Sequence, residues 1–202
     1  MMRLVKRFGI FVAGFIAVAF AQSATALPVG DHELYRSLYG APFSIGSGTA
    51  KVDSEVYRYT SDAYAGKYVY AYQIFNEDSG VGLSYFSVGI LDGATAYDPG
   101  FDIEVITGVV NPAAWAVVEP PLQSVDALFT KAIHNSFSSA VLWFVSDDPS
   151  TEGKAALCGT SPGTPHEYGT GDVLAPVPEP ATLFLLGGLS GLMILTQRKR
   201  FA

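Results

Sequence analysis

The sequence predicts an all-β protein: an antiparallel β-sandwich followed by a single C-terminal transmembrane helix. Short runs rich in Val, Ile, Tyr, Phe and Trp recur from about Thr49 onward and alternate with turn residues, which is the pattern of strands and hairpins. No window shows the 3.6-residue periodicity of an amphipathic helix over helical length. By contrast, the stretch from Ala181 to Thr196 holds no charged residue, and an apolar run of this kind predicts a membrane-spanning helix.

Residues 1–26 have the build of a secretory signal peptide. A basic opening precedes an apolar stretch from Phe8 to Phe20, and Ala24 and Ala26 supply the small residues of a cleavage site. Cleavage is expected after Ala26. The alternative is an uncleaved anchor helix, but the apolar stretch is short for a span that needs about 20 residues.

Residues 27–160 form the predicted β-sandwich domain. The strand-like runs cover 49–60, 67–75, 81–91, 101–106, 113–118, 127–133, 140–145 and 154–159. Several short strands at near-regular spacing favour an antiparallel sandwich. From Gly159 to Pro178 the composition shifts to Gly, Pro, Thr and Ser, so residues 161–178 are interpreted as a flexible linker, with a last short strand as the alternative.

Charge and cysteine content narrow the class of protein. Between Leu27 and Pro178, six basic residues stand against 18 acidic ones, a formal charge of −12. Such a domain repels phosphate backbones, which argues against nucleic-acid binding. Cys158 is the single cysteine, so an exported domain has no internal disulfide and depends on its apolar core.

The C-terminal tail combines three features in a fixed order. Pro178-Glu179-Pro180 follows other prolines on a strip that cannot join a helix and is expected to be extended. The apolar run is about 24 Å long as a helix, a short span for a hydrocarbon core of about 30 Å. Arg198, Lys199 and Arg200 then favour a cytoplasmic end by the positive-inside preference, an orientation that agrees with the signal peptide.

This tail, residues 178–202, resembles the PEP-CTERM sorting signal in its motif, its Gly-containing apolar run and its basic end. The chain continues past the basic cluster by Phe201 and Ala202. The resemblance implies a Gram-negative bacterium that makes extracellular polysaccharide. It also implies an exosortase, a membrane transpeptidase, as the partner that removes the tail. The middle of the chain is similar in general terms to β-rich domains found upstream of such tails, through the tyrosine-rich strand ending at Asn76 and the Leu142-Trp143 strand.

Four aromatic residues are candidates for stacking on sugar rings. Tyr68, Tyr70 and Tyr72 share one face of a predicted strand, and Trp115 follows Asn111-Pro112 near a strand start, where partial exposure is expected. The favoured interpretation of the tyrosine row is nevertheless structural, with the rings filling a sheet face. Trp143 lies in a continuous apolar run and is predicted to be core.

The sequence predicts no catalytic residue and no metal-binding residue. His32, His134 and His166 lack metal-ligand spacing, and no Gly-x-Ser-x-Gly elbow is present. Acid pairs fall in predicted turns, and the small apolar neighbours of Cys158 argue that its thiol is buried. Calcium is the one cofactor considered, because the turn 76–80 and the acidic balance supply hard oxygen ligands.

Three functions remain as hypotheses. The favoured one is an exported, non-enzymatic surface or matrix protein of a biofilm. It passes through an inner-membrane intermediate that faces the periplasm and is then processed by an exosortase. The alternative is a carbohydrate-binding module for the secreted polysaccharide, and the third is a secreted hydrolase.

Overall fold

A computed structural model describes residues 27–28, 30–102, 107–118, 123–160 and 166–178 of the chain. Within these ranges the secondary structure consists of strands and one short 3-10 helix at Asp62–Tyr64. In chain order the strands are β1 (His32–Ile45), β2 (Gly48–Tyr59), β3 (Tyr68–Asn76), β4 (Gly82–Gly89), β5 (Tyr97–Phe101), β6 (Val109–Val110), β7 (Ala114–Val118), β8 (Ser124–Ile133), β9 (Phe137–Ser139), β10 (Leu142–Ser146), β11 (Ser150–Thr160) and β12 (Glu167–Pro176).

The strands form two sheets that share one core. The larger sheet has the order β1-β2-β3-β10-β5, with β9 beside β3 and β6 beside β9. The smaller sheet has the order β12-β11-β4-β8-β7. Neighbouring strands are antiparallel except for the short parallel pair β6–β9. The predicted all-β class is confirmed, and the arrangement is sandwich-like.

Alternation along the strands explains why the sheets pack together. In β2, Ala50, Val52, Ser54 and Val56 are buried while the residues between them are not. Because successive side chains point to opposite faces, these four line the inner face. Inner-face residues of both sheets form one apolar cluster, and its burial is the main favourable term in folding.

Stacked rings fill the centre of that core. Phe144 of the larger sheet stacks on Tyr70 at 5.1 Å and on Tyr72 at 5.9 Å between ring centroids. Within the smaller sheet, Phe86 stacks on Trp115 at 6.4 Å. Offset aromatic pairs of this kind stabilise a core beyond the area they bury.

A second apolar cluster lies on the outer face of the larger sheet. It consists of Tyr59, Val69, Ala71, Trp143 and Val145, and Leu27 packs against it. The Tyr59 hydroxyl also donates a 2.6 Å hydrogen bond to the carbonyl oxygen of Pro28. The first described residues therefore cover part of this outer face.

Every predicted run overlaps a strand, although run 101–106 does so only at Phe101 of β5 and most of that run lies outside the described residues. The long strand β1 was not predicted. β12 was considered only as the alternative to a linker, as a last short strand. The prediction of a flexible linker over 161–178 is wrong for Glu167–Pro176, which pairs along its whole length with β11.

Among the residues that the structure describes, none form a helix with the length and apolar content that a membrane crossing needs. The predicted signal peptide with Ala24 and Ala26, the predicted transmembrane helix, and the basic end at Arg198, Lys199 and Arg200 lie outside the described residues.

Candidate functional site

The C-terminal strand β12 leads directly into the predicted sorting motif. It pairs with β11 from Glu167, opposite Gly159, to Pro176, opposite Ser150. Pairing of this length makes β12 an integral part of the smaller sheet. The motif therefore follows a folded strand, where the sequence predicted a linker.

Side chains of the larger sheet hold the far end of β12. The Tyr72 hydroxyl donates a 2.6 Å hydrogen bond to the Leu174 carbonyl oxygen, and the Leu174 N–H donates to Ser54 Oγ at 3.1 Å. Full burial raises the pKa of Tyr72 well above its usual value, because the phenolate would be desolvated. Tyr72 thus remains a protonated donor, and both backbone groups of Leu174 are satisfied across the interface.

Contact with the domain continues as far as the first residue of the motif. The Val177 N–H donates a 2.9 Å hydrogen bond to the Pro149 carbonyl oxygen. Pro178 is buried and lies beside the turn at Gly93, where a Cβ added to that glycine would be 3.5 Å from Pro178 Cγ. Glu179 and Pro180 lie outside the described residues. The described contacts of the domain therefore extend to the residue at which the motif begins.

The predicted tyrosine row is core, as the structural interpretation held. Tyr70 and Tyr72 are fully buried and Tyr68 is nearly so. The Tyr70 hydroxyl donates a 2.9 Å hydrogen bond to the Asp148 carbonyl oxygen. The candidate role of these three residues in stacking on sugars is wrong, since their rings face the opposite sheet.

The prediction that Trp115 is partly exposed is also wrong. Its side chain is 0% exposed, and its indole Nε1 donates a 2.7 Å hydrogen bond to the Trp143 carbonyl oxygen. Trp115 belongs to β7 and Trp143 to β10, so this bond joins the two sheets. Trp143 is buried, as predicted.

The acidic turn 76–80 uses its polar groups for the fold. Asn76 is buried, and its amide nitrogen donates to the carbonyl oxygens of Val81 (2.8 Å) and Ile133 (2.7 Å). Its amide oxygen accepts from the Ser79 N–H at 3.2 Å. The side chain expected to supply a calcium ligand therefore makes three bonds within the protein. Among the described residues, no three His, Cys, Asp or Glu side chains converge as a metal site would require.

The acid pairs in turns have structural partners. Asp147 accepts hydrogen bonds from Lys67 and, at 2.9 Å, from the Tyr97 hydroxyl, and the Lys67 bond contributes most to lowering the pKa of Asp147. The neighbouring carboxylate, Asp148, accepts from the Thr95 N–H at 2.8 Å. These contacts hold turns in place, consistent with the acids' predicted role in turn geometry.

Cys158 is buried, as predicted. Its Sγ lies 3.9 Å from His166 Nδ1, and burial raises the pKa of the thiol. A raised pKa disfavours the thiolate, which is the nucleophilic form. This geometry supports a packing role for the cysteine.

Sequence reasoning missed a polar group on the outer face of the smaller sheet. The Tyr85 hydroxyl donates to Asp126 Oδ2 at 2.5 Å, and the Ser87 hydroxyl donates to Asp126 Oδ1 at 2.7 Å. Tyr85 and Ser87 alternate with the buried Phe86 and Val88. That alternation could have placed them on the outer face, but their partner on β8 is distant in sequence.

Compared with protein-family models, with curated proteins and with solved structures, the chain shows no match. Functional inference therefore depends on the residues themselves.

Proposed function

We propose that this chain is an exported, non-enzymatic surface or matrix protein whose C-terminal tail is removed by an exosortase. The tail consists of Pro178-Glu179-Pro180, an apolar transmembrane run and a basic end, and the predicted signal peptide gives the same orientation. In this proposal the domain faces the periplasm while the tail sits in the inner membrane. Processing then releases it toward the cell surface and its polysaccharide.

The observation that carries the proposal is the position of the motif relative to the fold. Backbone hydrogen bonds of the domain extend to Val177, and Pro178 is buried. β12 ends at Pro176, and its pairing with β11 uses only residues that precede Glu179. Removal of the residues after the motif would therefore leave this pairing intact.

The sorting step is tested by changing Glu179→Ala and following the tail by intact mass in the native host. Wild-type protein should end within or near the motif, while the variant should retain residues up to Ala202. Asp172→Ala is the matched control, since it removes an exposed carboxylate from β12 that pairs with Lys154. If wild-type and Glu179→Ala both keep the tail, the chain is a permanent membrane protein and the proposal fails.

A further inference from the structure

The outer face of the smaller sheet carries an aligned row of side chains across all five strands. Residues directly opposite one another in this row are Tyr168, Cys158, Tyr85, Leu128 and Ala114. Tyr168 is 71% exposed and Leu128 is 40% exposed. The two tyrosines are separated by two strand spacings, about 10 Å. They present aromatic surface on one side of an open sheet.

The next row, beside the tyrosines, is built of smaller residues. It contains Thr170, Ala156, Ser87, Asp126 and Ala116. Around Ser87 and Asp126, in the middle of this row, a cavity of about 450 Å³ is lined also by Tyr85 and by neighbours that include Asp92, Gln123 and Ser124. The lining supplies a ring, hydroxyls, an amide and carboxylates. It is a polar groove with an aromatic wall.

Asp126 is held in a fixed orientation at this groove. Its two oxygens each accept one hydroxyl, from Tyr85 and from Ser87. Because a carboxylate has about four lone-pair positions, two remain for donors on a ligand. Burial and Asp126 raise the pKa of Tyr85, so its phenol stays protonated as a donor to Asp126. A preorganised acceptor needs little reordering on binding.

Charge determines which occupant suits the groove. Lys154 on β11 pairs with Asp172 on β12. Between Leu27 and Pro178 the chain carries a formal charge of −12. Anionic polymers would therefore be repelled. A neutral chain rich in hydroxyl groups has donors for Asp126 and C–H groups for the tyrosine ring faces, which carry partial negative charge.

We propose that this outer face, centred on Tyr85, Asp126 and Tyr168, binds a neutral glycan. The inference rests on the proposed function, because that function brings the exported protein to an extracellular polysaccharide. It adds the class of polymer to which the protein attaches. It places binding on residues other than the buried Tyr68, Tyr70, Tyr72 and Trp115. The opposite outer face, on the larger sheet, is partly covered by Leu27 and Pro28.

The test uses the full chain purified in detergent, so that it does not depend on tail processing. Binding is measured on immobilised hydroxyethyl cellulose, dextran and galactomannan, with alginate as the anionic arm. We expect retention on at least one neutral polymer and none on alginate. Tyr168→Ala and Asp126→Asn should each weaken binding about tenfold, the effect of losing one ring contact or one charged hydrogen bond.

Tyr39→Ala is the matched control, because Tyr39 is also an exposed tyrosine (59%) but lies on the larger sheet. It should leave binding unchanged, and thermal unfolding should show that all variants are folded. The inference is overturned if no neutral polymer retains the chain, if alginate is preferred, or if Tyr168→Ala binds like wild type. Retention together with a tail that is never removed would reject exosortase sorting while leaving the glycan face intact.

Discussion

The Tyr72 hydroxyl and the Leu174 carbonyl oxygen, 102 residues apart in sequence, form a 2.6 Å hydrogen bond between the two sheets. Leu174 lies near the end of β12, which is an edge strand of the smaller sheet. An edge strand exposes unpaired backbone groups unless something covers them. Here Tyr72 and Ser54 satisfy Leu174, and the strand that precedes the predicted sorting motif is fixed to the core.

Tyr72→Phe should lower the free energy of unfolding by about 1–3 kcal/mol, because it leaves the buried Leu174 carbonyl without its donor. Urea unfolding of residues 27–178, followed by circular dichroism, measures this change. Tyr39→Phe removes an exposed phenol and is the control, for which a clearly smaller effect is expected. Equal effects of the two substitutions would show that the Tyr72 bond has no special role.

A chain that stops at Thr160 should not fold. Truncation there removes β12, which pairs with β11 along its whole length, and exposes the apolar core beneath Val173 and Ala175. β11 then keeps only its shorter pairing with β4, from Ala155 to Thr160. Residues 27–178 should give a cooperative thermal transition, while residues 27–160 should aggregate or show no transition. A folded, soluble 27–160 chain would restore the domain boundary that the sequence predicted.

Sequence alternation did not reveal β1, in which the phase of the alternation changes twice. β1 has register irregularities between Leu34 and Arg36 and between Leu38 and Ala41. Each irregularity switches which residues point inward, so no single period-2 pattern spans the strand. The residues of β1 therefore show no continuous alternation from which the strand could have been predicted.

β12 was interpreted as part of a linker for a different reason, which is its glycine content. A Cβ at Gly169 would lie 2.5 Å from the Ser44 carbonyl oxygen, and one at Gly171 would lie 2.6 Å from the Phe43 ring. These glycines permit close packing against β1. Unless β1 and β12 are known to be neighbours, a glycine-containing composition of this kind indicates a loop. The outer-face group at Asp126 was missed similarly, because strand order cannot be read from local pattern.

Trp115→Phe should destabilise the domain by about 2–3 kcal/mol. The change leaves a void beside Phe86 and Phe144 and removes the indole donor to the Trp143 carbonyl oxygen. Thermal and urea unfolding measure the loss. Val118→Ala on the same strand is the control, since Val118 is exposed and should change stability by less than about 0.5 kcal/mol. A Trp115→Phe substitution that leaves the free energy of unfolding unchanged would argue against the hydrogen bond between the sheets.

Asn76→Asp should be strongly destabilising at neutral pH and less so in acid. The substitution replaces an amide that donates to two carbonyl oxygens with a carboxylate buried beside them, at a cost of about 3 kcal/mol or more. Repulsion and burial raise the folded pKa of the new acid above its unfolded value of about 3.9. The folded state then binds more protons, so the penalty grows as pH rises above that value.

Urea unfolding measures that trend. The free energy of unfolding of the Asn76→Asp protein is compared with that of wild type at each pH between 4 and neutrality. Asn135→Asp is the control, because Asn135 is exposed and its amide donates a 3.2 Å hydrogen bond to Asp78 Oδ1. It should cost less than about 1 kcal/mol at any of these pH values. A pH-independent loss in Asn76→Asp would mean that the introduced acid is solvated.

Alkaline pH should unfold the domain cooperatively. Burial is the largest cause of the raised pKa of Tyr57, Tyr70, Tyr72, Tyr85 and Tyr97. A tyrosine whose folded pKa exceeds its unfolded value of about 10 contributes stability that is present below pH 10 and is lost as pH rises above it. Phenolate absorbance and circular dichroism, recorded together against pH, should therefore change in one step above pH 10 for these residues. If all phenols titrate smoothly while the circular dichroism stays native, the tyrosines are solvated and the assigned core is wrong.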